Sequence, residues 1–312
     1  MAASINRAGA LSRVTVATLT AALVATGTSA VAADNPGASK TPADTFVAAE
    51  QAQLAQQDRI GARSTAKAAA TAEYRWLRGL SGGNLYLYEP DGRGGYGPRH
   101  HIATGGETVS NAAQADNDGD GKAESVWLWF SDGTLDYATP TSAITVGGGW
   151  NIFNKVISPG NLGGAASADL IARDKAGDLW LYLGYANGKV APRKKIGSGW
   201  NIYQHIAGVG DLTGDGKADI VTADKSGVLW IHPGSGDYNK PFKPRVKIGG
   251  GWNTFNYLAG VGDLDNDGKS DLIARDKAGA LFRYSGTGTT AKPFKPMAKI
   301  GTSGWNTYRL MY

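Results

Sequence analysis

The stretch Lys247-Ile248-Gly249-Gly250-Gly251-Trp252-Asn253-Thr254-Phe255 decides the fold, because close copies of it recur along the chain. The triplet Gly-Trp-Asn at its centre occurs four times, with its tryptophans at Trp150, Trp200, Trp252 and Trp305. Successive tryptophans are 50, 52 and 53 residues apart. A period of about 50 residues indicates a single supersecondary unit that is repeated in tandem.

A fainter copy of the unit lies upstream. Trp76–Gly83 matches the segment that follows the acidic loop of the other units, Leu85–Tyr88 matches their aromatic run, and His101–Ala103 matches Lys-Ile-Gly. Its Gly-Trp-Asn position is reduced to Gly106-Glu107. Each of the five units reads as four short strands, rich in Val, Ile, Leu, Trp and Tyr and separated by Gly, Asp and Asn. Four strands in about 50 residues are typical of a propeller blade.

The sequence therefore predicts an all-β fold, a five-bladed β-propeller of four-stranded blades. The four strands of one unit are A (Phe255–Asp263), B (Ser270–Asp276), C (Ala280–Gly286) and D (Met297–Gly301). The repeats begin at a B strand near Trp76, and Tyr308–Tyr312 has the sequence of an A strand. We expect this C-terminal strand to join the first blade, because closure leaves no open sheet edge.

Two segments precede the repeats. Residues 1–32 are predicted to be a Sec signal peptide, with Arg7 and Arg13, the apolar stretch Val14–Val24 and the cleavage motif Ala30-Val31-Ala32. Residues 33–73 are rich in Ala, Gln and Thr and are predicted to be a linker, with helical character around Phe46–Gln57. Residues 74–312 form the propeller. The protein is expected to be secreted, monomeric and without a membrane span after cleavage.

Charge and cysteine content narrow the function classes. The chain has a formal net charge of +5, and two of these charges lie in the predicted signal peptide. Such a small excess gives no argument for nucleic-acid binding. The chain has no cysteine, so an exported protein of this sequence must be held together by its core, its closed ring or bound ions.

The A-to-B loops carry the strongest chemical signal. In one unit Asp263, Asp265, Asp267 and Asp271 stand at positions 1, 3, 5 and 9, with Gly268 at the sharp turn. Calcium takes six to eight oxygen ligands and tolerates irregular geometry, so four carboxylates and the position-7 carbonyl suit it. We predict about three structural calcium sites. Their ligands are Asp116, Asp118, Asp120, Lys122 and Glu124; Asp211, Thr213, Asp215, Lys217 and Asp219; and Asp263, Asp265, Asp267, Lys269 and Asp271, where each lysine contributes its carbonyl.

The alternative for these loops is an acidic surface turn that needs no metal. Three copies at the same place in a repeat favour the ion. The corresponding loop Asn161–Asp169 keeps only its two ends, so we expect it to have lost the ion.

These loops resemble the calcium loops of FG-GAP (VCBS-type) repeat propellers such as the integrin α head. The Lys-Ile-Gly-x-Gly-Trp-Asn block, the five units and the end of the chain just after the last block resemble tachylectin-2-like five-bladed lectin propellers. The likeness covers about residues 74–312, although tachylectin-2 lacks the calcium loops. It implies calcium-stabilised blades and binding of N-acetylglucosamine-type sugars.

Strand order places the tryptophans away from the calcium loops. The A-to-B and C-to-D loops share one end of the ring, and Gly-Trp-Asn shares the other end with the B-to-C turns. That end offers an indole, an amide and a carboxylate in each unit, groups that stack on sugar rings and bind their hydroxyls. The candidate ligand residues are Trp150, Asn151, Asp174, Trp200, Asn201, Asp224, Trp252, Asn253, Asp276, Trp305 and Asn306. The alternative is that each Trp fills the gap between blades and that Asn and Asp form turns.

No catalytic constellation is apparent in the sequence. It has no His-Glu-x-x-His, no Gly-x-Ser-x-Gly and no cysteine nucleophile, and none of its four histidines occupies a repeated position beside an acid. We predict a non-catalytic carbohydrate-binding propeller for a glycan or cell-wall polysaccharide. An extracellular protein-interaction or adhesion module is the alternative, and a secreted hydrolase is the third hypothesis.

Overall fold

The computed structural model describes residues 41–61, 76–118, 122–164 and 167–312. The predicted signal peptide lies outside the described residues. Thr41–Tyr312 forms one compact unit, which thus includes part of the predicted linker. Among the described residues one α-helix, α1 (Pro42–Gly61), covers the stretch for which the sequence indicated helical character, and the other regular elements are strands and short 3-10 turns.

Twenty strands form five sheets of four antiparallel strands, which confirms the predicted propeller. Blade 1 contains β20 (Leu310–Met311), β1 (Leu77–Ser81), β2 (Asn84–Pro90) and β3 (Tyr96–Ala103), and blade 2 contains β4 (Val109–Ala115), β5 (Ser125–Phe130), β6 (Leu135–Ala138) and β7 (Ala143–Gly147). Blade 3 contains β8 (Phe153–Gly160), β9 (Asp169–Asp174), β10 (Leu179–Tyr182) and β11 (Lys194–Gly197). Blade 4 contains β12 (Tyr203–Gly210), β13 (Asp219–Asp224), β14 (Leu229–His232) and β15 (Val246–Gly249), and blade 5 contains β16 (Phe255–Gly262), β17 (Asp271–Asp276), β18 (Leu281–Tyr284) and β19 (Ala298–Gly301).

The C-terminal strand closes the ring. Strand β20 pairs with β1 through Gly79 and Met311 and through Leu80 and Leu310. The Arg78 N–H donates to the Tyr312 carbonyl at 2.8 Å, and the Tyr312 N–H donates to the Arg78 carbonyl at 3.0 Å. Blade 1 is therefore built from both ends of the repeat region, as the sequence predicted.

Each blade is apolar on both faces because other blades cover both of them. The B strands β5, β13 and β17 are buried along almost their whole length. Small residues let the A strands approach one another. A Cβ placed on Gly208 of β12 would lie 2.5 Å from Cα of Pro159 in β8, so that contact requires glycine.

Each of the four Gly-Trp-Asn blocks, and the equivalent segment of the first unit, forms a short 3-10 turn between a D strand and the next A strand. The five turns are η1 (Gly106–Thr108), η2 (Trp150–Ile152), η3 (Trp200–Ile202), η4 (Trp252–Thr254) and η5 (Trp305–Thr307). The glycine before each turn has a φ between 76° and 89°, in the left-handed region that favours glycine. Glycine is present at this position in all five units for that reason.

Helix α1 packs against blades 1 and 2. Thr41 and Asp44 form a reciprocal capping box, in which the Thr41 N–H donates to Asp44 at 2.9 Å and the Asp44 N–H donates to the Thr41 hydroxyl at 3.2 Å. Phe46 and Leu54 are fully buried in a cluster with Leu80 of blade 1 and other apolar side chains of both blades. Among the described residues, no helix is long and apolar enough to cross a membrane.

Candidate functional sites: the tryptophan face and the acidic loops

The Gly-Trp-Asn blocks dock onto the B-to-C turns of the preceding blades. The Trp200 N–H donates to the Gly177 carbonyl at 2.9 Å, and the Asn201 side-chain amide donates to the Lys175 carbonyl at 3.1 Å. Asn306 repeats the second bond, to the Lys277 carbonyl at 2.9 Å. The two sets of loops therefore share one end of the ring, and the asparagine amides help to hold that end together. We call this end the tryptophan face.

The tryptophan rings lie between blades. Trp150, Trp252 and Trp305 are only 8, 7 and 9% exposed, and Trp200 is partly buried. Each indole lies against an aromatic ring at the end of a C strand, with centroids 4.6–4.9 Å apart and interplanar angles of 32–35°. The pairs are Trp150–Tyr182, Trp200–His232, Trp252–Tyr284 and Trp305–Tyr88. This burial favours the interpretation in which the tryptophans fill the space between blades over one in which they offer open stacking surfaces.

The aspartates of the B-to-C turns also serve the fold. Asp174 accepts the Asp178 N–H at 2.9 Å and the Trp180 indole N–H at 2.9 Å. Asp276 accepts the Ala280 N–H at 2.8 Å.

Asp224 is bound in the same way, and its hydrogen bonds change its acidity. Partial burial tends to raise its pKa, but hydrogen bonds from Ser226, Trp230 and Val228 outweigh that effect and lower the pKa to about 2. The carboxylate is thus ionised at any ordinary pH.

An exposed depression lies between the Gly-Trp-Asn block of blade 3 and the B-to-C turn of blade 4. It is lined by Gly199, Asn201, Ile202, Asp224, Lys225 and Ser226. Ile202 is 51% exposed, and Ile152 at the equivalent place in the preceding unit is 42% exposed. The depression combines an apolar side chain with an amide, a carboxylate, an ammonium group and a hydroxyl. We call it the Asn201 depression.

Two of the three acidic loops bring carboxylates together. In one loop Asp263, Asp265 and Asp267 place carboxylate oxygens within 4.8 Å of one another. In another, Asp116, Asp118 and Glu124 do the same, while Asp120 lies outside the described residues. Among the described residues these are the only such groups of three.

Several polar atoms in the acidic loops are buried without a hydrogen-bond partner, as expected for ligands of a cation. They include Oε2 of Glu124, Oδ1 of Asp265 and Oγ1 of Thr213. Burial, together with the negative charges of Asp116 and Asp118, raises the pKa of Glu124 to about 7. A divalent cation would supply the missing partners, so these residues fit calcium.

The third loop makes the same kinds of contact as the Asp263 loop, but its described carboxylates do not converge in a group of three. Asp211 accepts backbone N–H groups from Gly214 at 2.6 Å and Gly216 at 2.8 Å, as Asp263 does from Asp267 and Gly268. Asp215 forms an ion pair with Lys243 at 2.5 Å, and Asp267 forms one with Lys295. Calcium binding by the Asp211 loop stays a prediction.

The position-9 aspartates have a role that the sequence did not suggest. Asp219 accepts the Leu212 and Thr213 N–H groups at 2.9 and 2.8 Å and the Gly234 N–H at 2.7 Å. Asp271 accepts the Leu264 and Gly286 N–H groups in the same way. Asp169, in the loop that lacks the other acidic residues, also makes all three bonds. This residue therefore fastens the loop to its own blade, whether or not the loop has the composition to bind an ion.

Lysines of the C-to-D loops were also missed by the sequence reasoning. Lys243 pairs with Asp215, and Lys295 pairs with Asp267 at 2.6 Å. Blade 3 has Ala191 at the same place, and its loop has Ala165 in place of the paired aspartate. In blades 4 and 5 the lysine and the aspartate are both present, and in blade 3 both are absent. This pattern could have indicated the ion pair from the sequence.

Comparison with known families identifies the repeats. A family model described as FG-GAP-like repeat matches residues 167–222 and 211–274. These residues carry FG-GAP-like repeats, which confirms the resemblance seen in the acidic loops. No curated protein matches the chain.

Solved propeller structures resemble the chain at low identity. A triple arginine-to-alanine mutant of AofleA from Arthrobotrys oligospora is 8% identical with a TM-score of 0.43, over 75% of this chain and 73% of that one. The BP39L lectin from Burkholderia pseudomallei is 14% identical with a TM-score of 0.42, over 75% and 72%. Prp20p from Saccharomyces cerevisiae is 11% identical with a TM-score of 0.35, over 70% of this chain and 59% of its own length.

Proposed function

We propose that this propeller is a secreted, non-catalytic carbohydrate-binding protein for N-acetylglucosamine-type glycans, stabilised by structural calcium. The observation that carries the proposal is the Asn201 depression, because it offers mixed polar and apolar contacts on a rigid ring. Its elements, a Gly-Trp-Asn block and a B-to-C turn, recur in the neighbouring units. Several weak sites on one ring would bind a polymeric glycan by avidity.

The side chains of the Asn201 depression suit a sugar. Asn201, Lys225 and Ser226 provide donors and acceptors for hydroxyl or N-acetyl groups. The exposed side chain of Ile202 provides an apolar contact for the face of the ring or for an N-acetyl methyl group. The adjacent Trp200 contributes by fixing the Gly-Trp-Asn block against the blade through its N–H bond to the Gly177 carbonyl.

Calcium would be held by the two loops in which carboxylates converge. Asp263, Asp265 and Asp267 with the Lys269 carbonyl would form one site, and Asp116, Asp118 and Glu124 with Asp120 and the Lys122 carbonyl would form the other. A bound ion would neutralise each cluster and tie strand A to strand B. Its contribution is to stability, on the end of the ring away from the tryptophan face.

The glycan proposal is tested by binding to chitin and to peptidoglycan, with free N-acetylglucosamine as competitor. The variants change the exposed residues of the depression, Asn201→Ala and Ile202→Ser, because a Trp200→Ala change would disturb the packing between blades. Ile144→Ser on β7 is the matched control, since Ile144 is also exposed but lies on an outer strand. We expect the depression variants to bind more weakly and the control to bind as the parent does.

Three results would contradict the proposal. Glycan binding that survives both depression variants would show that the binding site lies elsewhere. A retained extracellular protein that free N-acetylglucosamine does not displace would favour the protein-interaction module instead. Turnover of any tested polysaccharide would show a hydrolase.

A further inference from the structure

A cationic surface runs along the outer edges of blades 3, 4 and 5. The segments 189–195, 240–247 and 292–299 contain eleven Lys and Arg residues and no Asp or Glu. They comprise the ends of the C-to-D loops and the first two residues of the D strands β11, β15 and β19. Three of these lysines pair with aspartates outside the segments: Lys195 with Asp178, Lys243 with Asp215 and Lys295 with Asp267.

The lysines repeat in the same register from blade to blade. Lys195, Lys247 and Lys299 lie opposite the C-strand aromatic residues Trp180, Trp230 and Phe282. All three lysines are exposed. Lysines on an edge strand also discourage pairing with a foreign sheet, so their presence alone does not indicate a ligand.

The arginines of this surface are held in place by aromatic rings. The guanidinium of Arg193 lies 4.4 Å from the Trp180 ring centroid and 5.9 Å from that of Phe153. Arg245 lies 4.1 Å from Trp230 and 5.8 Å from Tyr203. Both arginines are exposed, so their cationic groups are oriented and still open to solvent.

The same arrangement recurs in blade 1 and is absent from two other blades. At the equivalent place Arg99 lies 4.8 Å from the Tyr86 ring centroid. Blade 5 has Met297 there, 55% exposed, and blade 2 has Ala143. A guanidinium held over a ring presents its donors in a fixed direction, which suits bidentate binding of a carboxylate or sulfate.

We infer that the outer edges of blades 3 and 4, around Arg193 and Arg245, bind an anionic polysaccharide through its carboxylate or sulfate groups. The stacked guanidinium groups pair with the anions, and Lys247 contacts neighbouring groups along the polymer. This site is separate from the Asn201 depression. It does not depend on the proposed binding of N-acetylglucosamine-type sugars.

The inference is tested by titrating the protein with polygalacturonate and with dextran sulfate, using neutral dextran as the control polymer. The variants Arg193→Met and Arg245→Met copy the residue that blade 5 already carries, so they should fold. We expect each to weaken binding about threefold, as for the loss of one exposed ion pair. Binding should weaken further as salt is added.

A gain of function provides the converse test. Met297→Arg places a guanidinium on blade 5 beside Phe282 and should tighten binding about threefold. Lys277→Ala, on the tryptophan face, is the matched control for the loss of an exposed positive charge and should leave binding unchanged.

The outcomes separate this inference from the glycan proposal. The Asn201→Ala variant should keep its affinity for the anionic polymers, and the arginine variants should keep their binding to chitin. Binding to either anionic polymer that depends on Arg193 and Arg245 supports the inference, and the two polymers distinguish carboxylate from sulfate. No binding to either, binding that the arginine variants retain, or stronger binding to DNA of similar length would overturn it.

Discussion

Phe46 of α1 lies directly against Gly106 of the η1 turn. A Cβ on Gly106 would lie 2.6 Å from Cε2 of the phenylalanine ring. Gly106 occupies the position that holds tryptophan in the other four units. The helix therefore supplies the aromatic wedge that the first junction lacks, and a segment outside the repeats completes the ring.

Removal of this wedge should destabilise the propeller. Phe46→Ala leaves a cavity where the ring is fully buried, and we expect a loss of about 3–5 kcal/mol in the free energy of unfolding, measured by urea denaturation. Gln56→Ala, at an exposed position of the same helix, should change it by less than about 0.5 kcal/mol. Equal stability of the Phe46→Ala variant and the parent protein would show that the helix is dispensable.

A buried ion pair anchors the same helix. Glu50 and Arg78 are both fully buried, with Oε2 and Nε 2.7 Å apart, and the Tyr312 hydroxyl donates to Glu50 at 2.6 Å. Glu50→Ala should cost about 3–5 kcal/mol because it leaves the guanidinium buried without a counter-charge. The double variant Glu50→Ala with Arg78→Met should recover part of that loss in the same denaturation assay. A double variant less stable than the single one would contradict this account.

Calcium should raise the melting temperature. At a calcium concentration about one hundred times the dissociation constant, one bound ion adds about 2.7 kcal/mol to the free energy of unfolding. We expect Asp265→Asn and Asp118→Asn to reduce the shift seen by differential scanning calorimetry. Asp237→Asn, which changes an exposed aspartate of a C-to-D loop, should preserve it. A melting curve that is the same in EDTA and in calcium would refute structural ions.

Asp169 should stabilise the folded protein whether or not an ion is bound. Its carboxylate is buried and accepts three backbone N–H groups. Asp169→Ala leaves these donors unsatisfied and should cost about 3 kcal/mol. Since the loop lacks the other carboxylates, the loss should be the same in calcium and in EDTA. A variant as stable as the parent would show that the carboxylate does not fasten the loop.

His232 should make blade 4 sensitive to acid. Burial, together with the nearby charge of Arg245, lowers its pKa to about 3 from an ordinary value of 6.5. The unfolded chain therefore binds a proton below pH 6.5 that the folded protein binds only near pH 3, and stability falls as the pH falls through this window. At pH 5 the loss is about 2 kcal/mol.

The equivalent stacking residue in the neighbouring blades provides a matched variant. Tyr182 and Tyr284 take the place of His232 against their tryptophans. His232→Tyr should therefore keep the stacking and lose this part of the pH dependence, as measured by urea denaturation between pH 7 and pH 4. The same pH dependence in parent and variant would assign the acid sensitivity to other groups.

The repeat made the architecture predictable, including the diverged first unit and its completion by Tyr308–Tyr312. The packing of helix α1 was harder to predict from the sequence, because the helix docks into a gap that exists only after the ring has formed. Its Ala- and Gln-rich sequence offers few apolar anchors beyond Phe46 and Leu54. Nothing in the sequence linked those two residues to the missing tryptophan at Gly106.

The candidate sites were predictable only in part, for a chemical reason. A tryptophan after glycine could stack on a sugar or fill the space between two blades. Only the burial of its side chain in the structure distinguishes these two roles. A carboxylate at position 9 likewise suits both a cation and a set of backbone amides. The stacking of Arg193 on Trp180 required the pairing of β10 with β11, since the two residues are not adjacent in the sequence.

The pairing of Gly79 with Met311 has a consequence for the order of folding. Blades 2 to 5 are each made of consecutive strands, so their contacts are local and can form early. Blade 1 must bring together residues from opposite ends of the repeat region, which carries a large loop-closure entropy. We expect the ring to remain open until this last contact forms, and closure with helix docking to be the slow, rate-limiting phase of refolding.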